Sequence, residues 1–352
     1  MEAPTRPDER NGGWVTRRSL VKGALAGAAV VGLGGLSRTM PALAASSEAP
    51  EVTAGDVAIL RFLAAAELIE TDLWVQYCEL AKGNKAYGEA LNLIENELVT
   101  YTCDVAGDEQ SHADFINGFL SANGHAPVNL DAFRTLPSSK ATGARQIGRL
   151  TNLMHVTVDT SWYLRYRDTG NPDFGAKYPQ FVDIVDKPLI PLSNEKLTKK
   201  QMQLIANSAA FHFCATEQGG SSIYPTMIPK ATNLDVLRIL TGIGPSEAYF
   251  FCSFHQSLEG LPAISGDGLV FPDVKKNDIG AHHIPHPCKF IDPELPLACV
   301  VRPGRVPNGG AVHLFQAGIK SNLFRGQTDK FFDTVMGLAV AADAATRDLG
   351  ES

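Results

Sequence analysis

The chain has 352 residues, 44% of them hydrophobic and 20% charged, with a formal net charge of -7. That length and apolar content suffice for a sizeable buried core and exclude a disordered body. The acidic balance excludes a protein that grips phosphate backbones, so no nucleic-acid partner is expected.

In chain order, Thr16-Arg17-Arg18-Ser19-Leu20-Val21-Lys22 precedes a weakly apolar, Gly- and Ala-rich run from Gly23 to Leu36, then Ala42-Leu43-Ala44. This resembles a twin-arginine signal peptide over residues 1–44. The resemblance implies export in folded form by the twin-arginine machinery, to the periplasm, cell envelope or outside of a bacterium. The apolar stretch is shorter than the ~20 residues a bilayer span needs. Residues 1–44 hold six basic and three acidic side chains, so the remainder carries -10.

Helical patterning dominates residues 50–260, with segments expected near 55–82, 88–122, 143–168, 198–224, 233–242 and 245–259. Gly83-Asn84, Asn123-Gly124, Gly170-Asn171-Pro172 and Gly244-Pro245 separate them. In the first, Leu60, Leu63, Glu67, Glu70 and Trp74 share one stripe. In the second, the stripe is Leu98, Thr102, Val105, Glu109, His112, Ile116 and Phe119. In the 198–224 segment it is Ala206, Ala210, Phe213, Glu217, Gly220 and Tyr224.

Each apolar seam therefore contains acids, and Glu109 and His112, three residues apart, project from one face. A lone acid in such a place can snorkel from the stripe's edge or be satisfied by Tyr, Trp or Arg. Three such helices together with a Glu-x-x-His point instead to a metal ion, because buried charge without a partner is costly. Bundles that hold two metals use one Glu from each of two helices and a Glu-x-x-His from each of the others.

From Leu261 to about Gly318 the composition turns to Pro, Gly, His and short apolar runs, and a last helix is expected from Thr328 to Arg347. Residues 261–352 thus read as a loop-rich or short-strand appendage ending in a helix. Six cysteines allow fifteen full pairings among which sequence cannot choose; Cys288 and Cys299 are expected as a loop disulfide, and those in helical segments are read as thiols. Ala281-His282-His283-Ile284-Pro285-His286-Pro287-Cys288 fits no established metal spacing and reads as a surface loop. The chain carries no Walker motif, Gly-x-Ser-x-Gly elbow, Cys-x-x-Cys or dinucleotide fingerprint.

The residues Ala66-Glu67-Leu68-Ile69-Glu70-Thr71-Asp72-Leu73-Trp74, then Asp108-Glu109-Gln110-Ser111-His112, resemble the first helix pair of the ferritin-like superfamily. The closer likeness is to exported ferritin-like domains of the desiccation-associated type. It implies an all-α four-helix bundle with extra helices and an iron or manganese centre bound by Glu67, Glu109 and His112. Two registers compete for the second half. In one, 143–168 is the third helix, with His155 and Asp159 inward, and Glu217 begins a Glu-x-x-His whose histidine is replaced by Gly220. In the other, Glu217 belongs to the third helix, and Cys252 and His255 stand in the fourth, with Cys252 in place of a glutamate. The first is preferred; His255 is a further candidate ligand in either, with Glu247 two turns before it. Each register lacks one ligand. Two functional readings follow: a metal-dependent oxidoreductase acting on oxygen or peroxide, and a non-catalytic envelope stress or interaction protein with a degraded centre. Metal storage or delivery is a third.

Overall fold

The computed structural model describes residues 51–165, 178–276 and 310–348. Residues 1–44, expected to be a signal peptide, the His-rich run and both Cys288 and Cys299 lie outside them. The described chain is mostly helical, and no helix in it is long and apolar enough to cross a membrane.

Four long helices carry the architecture: α1 (Ala54–Gly83), α3 (Leu98–Ala122), α5 (Lys199–Met227) and α6 (Leu234–Ser257), with short α2 (Lys85–Asn92) between the first two. α1 and α5 begin with reciprocal capping boxes, Thr53 with Asp56 and Thr198 with Gln201. α6 is capped by Asn233, whose side chain accepts from the Asp235 and Val236 amides. α1 packs along α3, and α5 along α6. Between the pairs Trp74 stacks on Phe254 and lies 5.0 Å from Phe213, an aromatic floor joining α1, α5 and α6.

Three expectations are corrected. The 88–122 segment is two helices, broken at residues 93–97. Segments 233–242 and 245–259 form one helix, α6, which runs through Gly244-Pro245. Pro245 forfeits one backbone hydrogen bond, but its ring lies on the exposed face while Ile243, Glu247, Phe250 and Phe254 are buried along the other. Residues 143–168 contain no long helix. They hold strand β1 (Val156–Val158), five-residue α4 (Ser161–Arg165) and otherwise irregular chain; β1 pairs antiparallel with β2 (Ile184–Lys187). Asp72 on α1, a buried carboxylate, accepts from the Leu150 and Thr151 amides at 2.9 Å each and from the Thr151 hydroxyl at 2.8 Å, which ties this irregular stretch to α1.

After α6 comes a hairpin, β3 (Ile264–Gly266) and β4 (Leu269–Phe271), turned by Asp267 and Gly268, both at positive φ. Helices α7 (Ala311–Lys320) and α8 (Asp329–Ala344) follow, and α8, capped by Thr328 and ending three residues before the expected Arg347, packs along α1. Cys78 and Cys103 form a disulfide between α1 and α3, against the expectation of thiols there. Their places on facing turns of two packed helices, with Cα atoms 4.7 Å apart, explain why.

Candidate metal centre

α1, α3 and α6 bring Glu67, Glu109, His112 and Glu247 together, with one ligating atom from each inside a cluster no more than 4.8 Å across. The three carboxylates are fully buried, and His112 closes the group towards the surface. His112 Nδ1 lies 3.2 Å from Glu67 Oε2, 3.1 Å from Glu109 Oε2 and 3.2 Å from Glu247 Oε1. One ring nitrogen carries at most one hydrogen and cannot satisfy three anionic oxygens.

The opposite ring nitrogen explains the orientation. Ser246 donates to the Ile243 carbonyl at 2.6 Å, which leaves its hydroxyl oxygen to accept from His112 Nε2 at 3.4 Å. With Nε2 directed at Ser246, Nδ1 faces the carboxylates: a proton there is accepted by them, and its loss leaves the lone pair that a metal ion needs.

Glu217 of α5 stands near enough to Glu247 for the two carboxyls to repel one another. Both Glu217 oxygens and Glu109 Oε1 are buried without a hydrogen-bond partner. Glu247 reaches into this space because residue 220 is glycine: a Cβ there would stand 2.3 Å from Glu247 Oε2. Glu67 is held from behind by the Tyr224 hydroxyl, which donates to Oε1. Glu70, one turn after Glu67, is half-buried at the margin of the group.

Charge balance gives the chemistry. Burial, then repulsion from Glu247, holds the Glu70, Glu109 and Glu217 carboxyls well above the usual carboxylate range. Burial and the charge of Glu67 lift Glu247 to about 7. Burial alone would lower His112, but hydrogen bonds to Glu247 and Glu67, and their charge, push it up to about 10. Protons here compensate a surplus of negative charge, and a cation would do so with fewer uncompensated oxygens. The donor set of carboxylate oxygens and one imidazole suits a hard to borderline first-row ion, so the residues present fit a metal. They could hold one ion through Glu67, Glu109, His112 and Glu247.

Of the residues singled out in the sequence, Glu67, Glu109 and His112 meet as expected, and Glu217 lies beside them. His155 does not join: it is exposed on the extended chain before β1, with Nδ1 3.3 Å from Asp186. Asp159 is also exposed and caps α4, accepting from the Ser161 amide and Gln180, each at 2.9 Å. Both are displaced because the expected helix at 143–168 is not formed. His255 is buried two turns beyond Glu247, with ring centroids of Trp162, Tyr163 and Phe251 at 5.4 to 5.8 Å. It is a core histidine on a different face of α6.

Neither register survives whole. α5 and α6 are the third and fourth long helices, as the second requires, but the acid of α6 is Glu247 and Cys252 is exposed. Phe250 stands three residues after Glu247, where a histidine would complete the pattern, 6.4 Å from the His112 ring. Sequence reading brought in Glu247 only as a neighbour of His255 and not among the expected ligands; the stripe Ile243, Glu247, Phe250, Phe254, which crosses the expected break at Gly244-Pro245, was its signal. Comparison with known protein families, curated proteins and solved structures finds no match for this chain.

Proposed function

We propose that this is an exported ferritin-like metal protein. Its four long helices act as a ferritin-like bundle, and Glu67, Glu109, His112 and Glu247 bind iron or manganese. Glu217 extends the set towards a second ion. The observation that carries the reading is the convergence of three buried carboxylate oxygens on one imidazole nitrogen, with further buried oxygens beside them that no donor reaches. Bound iron or manganese would supply one-electron chemistry with oxygen or peroxide as the substrate class. The chain's own residues fix the site: Tyr224 orients Glu67, Ser246 orients the His112 ring, and the Trp74, Phe213 and Phe254 rings pack together beside it.

The export signal supports folding, and metal loading, before secretion. A second reading, a non-catalytic envelope protein with a degraded centre, is favoured by Phe250 alone, since it removes one of two expected imidazoles.

The test is the metal content of protein folded in the cytoplasm and purified after export, with Glu109→Ala as control. Two Fe or Mn per chain, absent from the variant, is the expected result. A single ion lost in the variant leaves only the His112-bearing half at work. No metal in either protein overturns the proposal. Oxygen or peroxide consumption by the loaded protein then separates an oxidoreductase from a store.

A further inference from the structure

A cavity of about 540 Å³ lies between α1, α5 and the C-terminal helices. Its origin is local. α1 and α5 present small residues to one another, Ala66 from one and Ala215, Gly219 and Ser222 from the other, while α7 and the turn after it close the outer side with Leu314, Phe315 and Phe324. Large side chains elsewhere hold the helices apart, so the space the small residues leave does not collapse. Phe62 and Trp162 add aromatic walls, and the volume is in the range of small-molecule sites.

The polar groups on its wall come from α1 and α5 and, on the other side, from Thr157, Asp159, His313 and Ser321. Glu70 reaches it from α1; His212, Thr216 and Gln218 reach it from α5. His212 is bonded through Nδ1 to the Tyr77 hydroxyl at 2.9 Å, and burial pulls it down to about 4, so it brings no positive charge. Among the described residues the lining contains no lysine or arginine, whereas Glu70 and Asp159 are both present. His313, on the exposed face of α7, is the remaining imidazole of the lining, so phosphates and carboxylates find no permanent counter-charge.

We propose that this cavity binds a neutral, largely hydrocarbon or aromatic molecule carrying one hydroxyl or carbonyl, with its polar end at Glu70. Glu70 lies one helical turn from Glu67 on the same stripe of α1, so the occupant's polar end sits beside the carboxylate group. The cavity needs no metal, and its fate is separable from that of the metal reading.

The test uses the metal-free full chain titrated with 6-propionyl-2-(dimethylamino)naphthalene, a neutral fluorescent ketone. Saturable binding at one probe per chain with blue-shifted emission is expected, displaced by 1-decanol and not by decanoate. Ala215→Trp, which fills the cavity from α5, weakens binding by about tenfold or more. Ala66→Phe fills it from α1 and serves if the first variant fails to fold; circular dichroism establishes folding. The proposal is overturned if the wild type shows no saturable binding, or if the folded variants bind the probe as tightly as the wild type. Equal displacement by decanoate overturns the assignment of a neutral ligand.

Discussion

The α1/α3 pair and the α5/α6 pair approach the same cluster of carboxylates with unequal equipment. The first contributes Glu67, Glu109 and His112 and is cross-linked by Cys78–Cys103. The second contributes Glu217 and Glu247, carries no disulfide among the described residues, and places Phe250 where the first has its imidazole. Donor type and rigidity therefore go together. The pair that supplies nitrogen is covalently fixed, and the pair that supplies only oxygen is held by packing, with a proline inside each of its helices.

The comparison breaks most readily at the disulfide. Replacing Cys78 and Cys103 by Ala opens a loop with a sequence separation of 25. The expected loss is about 3 kcal/mol of stability from restored chain entropy. Denaturant unfolding of oxidised protein and variant measures it; a loss below about 1 kcal/mol would mean that packing alone fixes the first pair.

Protons report the second pair. Glu247 is raised from the ordinary carboxylate value to about 7, so the folded state binds more protons than the unfolded one between those limits. Metal-free protein then loses stability as pH rises from about 4.5 to about 7. His112, raised to about 10, contributes stability that is fully present below about pH 6.5 and is lost only as pH climbs through about 10. His212 works in the opposite sense, since its value of about 4 gives stability that is lost as pH falls below about 6.5. The Glu247 contribution is isolated as the difference in Tm between wild type and Glu247→Gln from pH 5 to 8. That difference should move against the wild type as pH rises, and bound metal should reverse it, because metal takes the deprotonated form.

The smallest effect sharpens the comparison by making the pairs alike. Phe250→His restores the missing imidazole, and affinity for Mn or Fe should rise about tenfold, equivalent to ~1.4 kcal/mol. Metal titration followed by calorimetry reads it. Unchanged affinity would show that the α6 position cannot reach the ion.

Much of the first pair was legible because its polar residues interrupt an otherwise apolar stripe at helical spacing, which periodicity alone exposes. The second pair was harder. Glu217 showed itself in the same way, but Glu247 sat two residues after Pro245, and local propensity argued for a break that the buried face of α6 overrides. The failure at 143–168 was of another kind. Its chain is tied to Asp72 on α1 and pairs with β2, partners far away in sequence, and no pattern within the segment carries that information. His155 and Asp159 were misplaced with it. The Cys78–Cys103 link likewise depended on which turns of α1 and α3 face one another.

Gly220 offers a way to design a control protein. The position that in sequence takes a histidine's place is in the structure the recess that receives the Glu247 carboxylate. Alanine favours a helix interior over glycine by about 0.8–1.0 kcal/mol. Gly220→Ala would keep every acid and imidazole of the cluster while its single methyl group forces one carboxylate out of place. An engineer can thus separate what the metal contributes from what the ligand side chains contribute to folding, without deleting any of them.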